Sequence, residues 1–325
     1  MECDIYFYEV YKEEEELLKK DLPMGIEAGF NYHTIQEIFE KEKICEPKAK
    51  IISIRTQSAV PRNWIDDGKI SAVISRTTGY DHLKDFEDKI RLGYLPDYSR
   101  RAVAEQAIMF YFVLARKLIK QMEHFKDFNR NNLSGFEAKN KNILIVGVGR
   151  IGSEICRIAK GLGMEVFGVD RERKYKNVRY VGIDEGLKKA DVIICAMSLN
   201  EKNKKYFNYE VLKKARKGVF FINVSRGELS PSADLLKLVK ENHLGGLALD
   251  VYNEEYNLVK SLRTGRLGDG ESKAVLELSK FDNVILTPHN AFNTHESTKR
   301  KAEQTIENLN YFLKTGKMKW EVPRD

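Results

Sequence analysis

Cysteine, proline and tryptophan are all scarce in this chain of 325 residues, at four, seven and two copies. Cys3, Cys45, Cys156 and Cys195 are far apart and form no C-x-x-C pair, which argues against a disulfide framework or a zinc site and for a reducing compartment. No metal is expected. Low-complexity tracts and internal repeats of fixed short period are absent. No apolar run approaches the roughly 20 residues that span a bilayer. The opening "MECDIYFYEV" is acidic where a secretory leader is basic, so the expectation is a soluble cytoplasmic protein with no membrane partner. Charge of one sign never accumulates either. Lys and Arg number 55 against 48 Asp and Glu, and the net charge of +7 is spread through mixed clusters such as "KEEEELLKK" (12–20) and "STKRKAEQ" (297–304). A nucleic-acid binder concentrates its positive charge on one element. These clusters read as solvated faces, and no nucleic-acid partner is expected.

The length exceeds what one hydrophobic core usually supports, so two domains are expected. Strand-like runs at 3–10, 50–55 and 70–75 alternate with helical stretches near 12–20, 34–43, 61–67 and 82–89. Such alternation predicts a parallel sheet covered on both faces. A helix over 101–122 follows, apolar nearly all round between Ala102 and Leu118, and therefore buried on several sides. It is the segment on which a homodimer is expected. A second alternating series has strands at 142–147, 164–169, 191–195, 218–223, 246–250 and 283–287. Six strands with helical crossovers are the content of a dinucleotide-binding sheet. Ala302, Ile306, Leu309 and Leu313 lie at helical spacing within 295–315, which predicts an amphipathic helix returning to the first domain. Residues 256–282, with "TGRLGDGES" at 264–272, read as a glycine-rich surface loop.

The strongest motif is "KNILIVGVGRIGSEICRIAKGLGMEVFGVD" (141–170). An apolar strand runs into Gly147, Gly149 and Gly152 in G-x-G-x-x-G order, and a helix begins at once. The first glycine permits the tight turn, the second lets backbone approach a pyrophosphate, and the third lets helix and strand pack closely. Phosphates sit well on the helix N-terminus, where free N–H groups and the dipole favour negative charge. Asp170 ends the next strand, placed to accept from the adenosine ribose hydroxyls and to repel a 2′-phosphate, which favours NAD. Arg171 and Arg173 beside it speak for NADP.

Three further strand ends carry chemistry. "FFINVSRGELSP" (220–231) places Arg226 where ligands of open α/β sheets bind, its planar fork suited to a carboxylate or carbonyl oxygen. "GLALDVYNEE" (246–255) ends at Asp250 and is followed by Glu254 and Glu255. "VILTPHNAFNT" (284–294) stops at Pro288 and presents His289, whose residue type alone titrates unperturbed near working pH. One of the two glutamates would orient and charge that imidazole.

With these residues the chain resembles the D-2-hydroxyacid dehydrogenase family over nearly its whole length. The resemblance implies two doubly wound parallel-sheet α/β domains: a flavodoxin-like substrate domain, 1–99 plus 295–325, and a Rossmann NAD-binding domain, 100–294. It implies Arg226 as substrate-binding arginine, His289 as acid–base and, from the family's spacing after Asp250, Glu255 as its carboxylate partner. "SRTTGYDHL" (75–83) looks like the family loop whose amides, near Thr78 and Gly79, hold the substrate carboxylate, and Arg76 and Tyr98 are expected beside it. "YSRRAVAE" (98–105) looks like the hinge into the second domain. The expected cofactor contacts are Gly147, Gly149, Arg150, Ile151, Gly152, Asp170, Ser198, Asn203, Val224, Ser225 and Asp250. "PHNAFNT" is similar to the D-lactate dehydrogenase branch, which implies a small 2-keto or 2-hydroxy acid as substrate. Relatives for bulkier 2-keto acids or phosphoglycerate, and cofactor-sensing corepressors of the same fold, are the alternatives. Where the family has His-x-Pro-Leu-Thr, this chain reads Ala196-Met197-Ser198-Leu199-Asn200.

Overall fold

The computed structural model describes residues 3–43, 46–266 and 268–324, so the expectations for Cys45 and Leu267 lie outside the described residues. The chain divides into two compact units, Met1–Ser99 with Asn293–Asp325, and Arg100–Phe292.

The first unit is a parallel sheet in the order β2-β1-β3-β4-β5. Its strands are β1 Ile5–Phe7, β2 Ala28–Phe30, β3 Ile51–Ile54, β4 Ala72–Ser75 and β5 Arg91–Gly93. Strands β2 and β5 carry no apolar run of their own and exist through pairing with β1 and β4. Helices α1 (Lys12–Asp21), α2 (Ile35–Glu42) and α3 (Arg62–Asp66) cover the sheet, and the expected helix at 82–89 is a 3-10 turn over Asp81–Phe86. Trp64, Ile52 and Leu83 fill one face. Ile5, Phe7 and Leu18 fill the other, with Ala302, Ile306 and Leu309 from the last helix of the chain, His295–Thr315.

The second unit holds a seven-stranded parallel sheet, one strand more than the periodicity predicts. The strands are β6 Asn142–Val146, β7 Glu165–Val169, β8 Arg179–Tyr180, β9 Val192–Cys195, β10 Val219–Asn223, β11 Leu244–Leu249 and β12 Val284–Leu286, in the order β12-β11-β10-β9-β6-β7-β8. The order reverses at β6 and β9, the switch point beside which ligands of such sheets bind. Every residue of β9 and β10 is buried, which is why they read as unbroken apolar runs.

Two expectations are corrected here. The helix over 101–122 is two helices, α4 Arg100–Ala115 and α5 Leu118–His124, broken where Lys117 turns left-handed at φ 52°. Ala104, Ala107, Phe110 and Tyr111 of α4 are buried within their own unit, against α6 (Arg150–Gly161) and strands β10 and β11, so much of the all-round apolarity is used inside it. Met109 of α4 is exposed, and most of the exposed apolar side chains come after the break: Leu118, Ile119, Met122, Phe125 and Phe128. The described part of 256–282 is not a loop but mostly helix. After α7 (Ile183–Lys189), α8 (Tyr209–Lys213) and α9 (Ser232–Lys240) come α10 (Glu255–Thr264) and α11 (Gly270–Leu278). Leu258, Val275 and Leu278 join the core, and the Asp269 side chain caps α11 by accepting from the Ser272 amide at 2.8 Å. The helix of the first unit, His295–Thr315, is α12.

Candidate active site

The glycine turn after β6 is built from contacts that only glycine permits. Gly147 has φ 92°, and a Cβ there would stand 2.4 Å from the backbone nitrogen of Met197. A Cβ on Gly152 would stand 2.0 Å from the Gly147 carbonyl oxygen, so the third glycine seats α6 on the turn. Around Gly149 there is open space, and α6 starts there with no side-chain cap. The amides of Ile151, which is half-buried, and Gly152 have no acceptor among the described residues and present donors to a ligand. Asp170 closes the turn from β7: its carboxylate accepts the Val148 amide at 2.7 Å and the Glu172 amide at 3.0 Å. Each oxygen keeps a lone pair for a ribose hydroxyl. Arg150, Arg171 and Arg173 are exposed. This geometry fits a dinucleotide.

The loop after β9 packs on the same turn through Met197, and the Ser225 hydroxyl donates to the Met197 carbonyl. Ser198 is exposed, while Asn203 is buried and braces the loop, accepting from the Asn200 amide and donating to the Ser198 carbonyl at 2.7 Å. Val224 is buried at the end of β10. The turn that carries Arg226 is held by a residue the sequence reading missed. Asn223, fully buried, accepts from the Ser225 amide at 2.9 Å and donates to the Arg226 carbonyl at 2.9 Å and the Ser230 hydroxyl at 2.8 Å. An Asn ending a strand before Ser-x-Gly is a turn signal that could have found it. The Arg226 guanidinium is half-buried and donates to the Ser225 carbonyl at 2.9 Å.

His289 and Glu255 meet. The imidazole Nδ1 lies 2.9 and 3.1 Å from the two Glu255 oxygens, with both side chains about four-fifths buried. A carboxylate only accepts, so Nδ1 carries the proton and Nε2 is left to exchange one with a ligand. Glu254 sits left-handed at φ 53° as the N-cap of α10, exposed, which turns the first helical residue, Glu255, toward the histidine. His289 is itself left-handed at φ 50°. That conformation is held from below by Asp250, whose carboxylate accepts the Asn290 and Ala291 amides, each at 2.8 Å, and the Thr287 hydroxyl. Burial raises the Asp250 carboxyl above its ordinary range, against those three hydrogen bonds. Expected among the cofactor contacts, Asp250 is 1% exposed and committed to the histidine turn. Tyr252, also missed, donates to the Thr287 carbonyl at 2.8 Å and ties β12 to the loop after β11.

In the first unit the loop after β4 leaves two neighbouring amides, Thr78 and Gly79, without an acceptor among the described residues. A pair of such donors at a strand's carboxyl end is an anion site. Tyr98 is buried, its carbonyl accepting from Arg300 at 2.9 Å. Arg76 is corrected: expected beside the substrate, its guanidinium is 0% exposed and donates to Glu14, Ser53 and the carbonyls of Tyr8 and Glu9. No surface of it remains for a ligand.

Fold and glycine turn define the second unit as a dinucleotide-binding domain of the parallel, doubly wound class. Residues 108–291 match the family model for the NAD-binding domain of D-isomer specific 2-hydroxyacid dehydrogenases. The chain is 32% identical over 254 residues to D-lactate dehydrogenase kk1H of Curvularia clavata, covering 75% of this chain and 72% of that protein. It is 31% identical over 267 residues to an aromatic 2-oxoacid reductase of Clostridium sporogenes, covering 78% and 79%. Among solved structures, D-lactate dehydrogenase from Aquifex aeolicus, complexed with NAD and lactic acid, superposes with a TM-score of 0.84 at 25% identity over 96% of each chain. The chain belongs to the D-isomer specific 2-hydroxyacid dehydrogenase family. Its second unit is that family's NAD-binding domain, and its class is oxidoreductase acting on CH–OH groups with NAD. No helix among the described residues is long and apolar enough to cross a membrane.

Proposed function

We propose that the chain reduces small 2-keto acids with NADH, pyruvate to D-lactate first among them, and runs the reverse oxidation with NAD. The observation that carries this is the His289–Glu255 pair, seated at the carboxyl edge of the nucleotide-binding sheet. NADH, when bound, supplies the hydride that reaches the keto carbon. Arg226 takes the substrate carboxylate and polarises the carbonyl, a task for which a planar fork of donors is suited. The Thr78 and Gly79 amides are assigned to the binding of a substrate carboxylate. His289 hands the proton on Nε2 to the developing alkoxide, and Glu255 stabilises the imidazolium until it is reprotonated. Gly149, Arg150, Ile151 and Gly152 are assigned to the pyrophosphate, Asp170 to the ribose, and Ser198, Asn203, Val224 and Ser225 to the nicotinamide side.

A relative that reduces aromatic 2-oxoacids stands beside the D-lactate enzymes, so pocket size decides the substrate. A panel of pyruvate, phenylpyruvate, 2-oxoisocaproate and phosphohydroxypyruvate, each with NADH, tests the reading. Pyruvate is expected to give the highest kcat/KM. A larger acid ahead of it would replace D-lactate as the substrate, and no turnover on any acid would favour a cofactor-sensing binding protein. We further assign the exposed residues Leu118, Ile119, Met122 and Phe125 to a homodimer contact. Light scattering at micromolar concentration should give twice the chain mass, and the Phe125→Glu variant the chain mass itself.

A further inference from the structure

The acidic run 12–20 reads as a solvated face, yet Glu14 within it is 0% exposed. Its Oε1 accepts from Arg76 Nε at 2.9 Å and forms an ion pair with Lys301 Nζ at 3.0 Å, and all three side chains are fully buried. The contact joins α1, the end of β4 and α12. Arg76 spends its other donors on the Ser53 hydroxyl at 3.0 Å and on the Tyr8 and Glu9 carbonyls at 2.6 and 3.1 Å. Its own amide donates to the Ile54 carbonyl at 2.8 Å, the last rung between β3 and β4. Beyond it, after Thr77, come Thr78 and Gly79, whose amides have no acceptor among the described residues. The far side of that loop is tied by the Thr77 hydroxyl, which donates to the Gly79 carbonyl at 2.7 Å and lies 2.6 Å from the Ser75 hydroxyl.

A buried charge is a costly way to fill a core, and an apolar side chain at position 14 would fill it more cheaply. What an apolar residue cannot do is fix the angle of a guanidinium whose donors leave in a rigid plane. We propose that Glu14 is a positioning residue for substrate binding: by locking the Arg76 fork it sets the backbone from which the Thr78 and Gly79 amides are presented. This rests on the assignment of those amides to the substrate carboxylate made above. Glu14 touches no substrate itself.

The test is Glu14→Gln, which keeps the volume and removes the charge, with Glu14→Gln/Lys301→Met as a companion that removes one charge of each sign and stands in if the single variant does not fold. Two readouts are taken on each. The KM for the 2-keto acid should rise by about tenfold or more, with NADH affinity in the second unit within about twofold of the parent. Amide hydrogen exchange over 76–80 should speed up by about tenfold or more while strand 51–54 stays protected. A folded variant with unchanged KM and unchanged exchange overturns the proposal, as does a raised KM without faster exchange of the loop. A parent protein that reduces no 2-keto acid would defeat the functional reading instead, and the exchange experiment would still judge Glu14.

Discussion

Gly227 lies against the peptide that joins Tyr252 to Asn253, so closely that a Cβ on it would stand 1.8 Å from the Tyr252 carbonyl carbon. The turn that presents Arg226 is thereby pressed onto the loop that leads into Glu255. Backbone meets backbone there, and neither side can yield cheaply. Gly227→Ala should displace the arginine turn from the glutamate loop by about 1 Å or more. Since misplacement of about 1 Å can cost about a hundredfold, kcat/KM is expected to fall by about tenfold to a hundredfold, with NADH titration little changed. Parent-like kinetics in the alanine variant would show that the two turns move independently.

The Glu255 charge faces Nδ1 of His289 at hydrogen-bond distance. Reduction needs the imidazole protonated and oxidation needs it neutral. Glu255→Gln removes the carboxylate that holds the Nδ1 proton and faces the charged imidazole, so kcat should drop by about tenfold or more, with NADH affinity within about twofold of the parent. A parent-like kcat in the variant would remove Glu255 as the partner.

Asp170 holds the glycine turn through Val148 and meets the ribose edge of the nucleotide in the assignment above. A 2′-phosphate there faces a carboxylate. NADH should therefore be preferred over NADPH by about tenfold or more in kcat/KM, on the order of 1.4 kcal/mol. Equal rates with both would mean that Arg171 or Arg173 overrides the carboxylate.

The buried cluster of the first unit carries a surplus positive charge, and its pH response follows from that. Burial pushes the Glu14 carboxyl up, but Arg76, Lys301 and Arg55 outweigh it and hold it at about 2. Burial drives Lys301 down to about 8, with Arg55 and Arg76 adding to the effect against Glu14. Glu14, depressed below its ordinary 4.5, contributes stability that is present above that value and is lost as pH falls toward 2. For Lys301, burial outweighs the pairing with Glu14, so its response runs the other way. Between about 8 and its ordinary 10.5 the folded chain has released the proton and the unfolded chain still holds it, so stability rises with pH across that window. Lys301→Met should abolish this rise and leave the protein at least as stable at pH 7 in urea melts. A loss of more than about 3 kcal/mol, the cost of breaking a needed buried pair, would show that the ammonium is not surplus.

Much of this site was legible in the sequence because its signals are local. A glycine turn between an apolar strand and a helix, an acid ending the next strand, an arginine and a histidine each just past a strand end: every one of these is written within about thirty residues. The interruption of helix 101–122 at Lys117 and the two helices within 255–278 were not legible, because a left-handed residue and a capped helix start depend on what the flanking apolar side chains find to pack against.

The first unit shows the limit most plainly. Glu14 stands in a run of four glutamates, Glu13 to Glu16, and nothing in the run marks the one that turns inward. Its partners lie at positions 76 and 301, and the Asp250 carboxylate finds its own at 287, 290 and 291. Pairings over such separations leave no periodic trace. They are decided when strands that are distant in the chain set their carboxyl ends side by side, and a charged or polar group must then be satisfied by whatever that geometry brings within 3 Å. The sequence by itself determined two parallel α/β sheets, a nucleotide turn and a histidine just past a strand end. Tertiary structure alone decided that Arg76 is an anchor instead of a substrate ligand, that Asp250 holds the histidine turn, and that Asn223, Gly227 and Tyr252 bring the turns together.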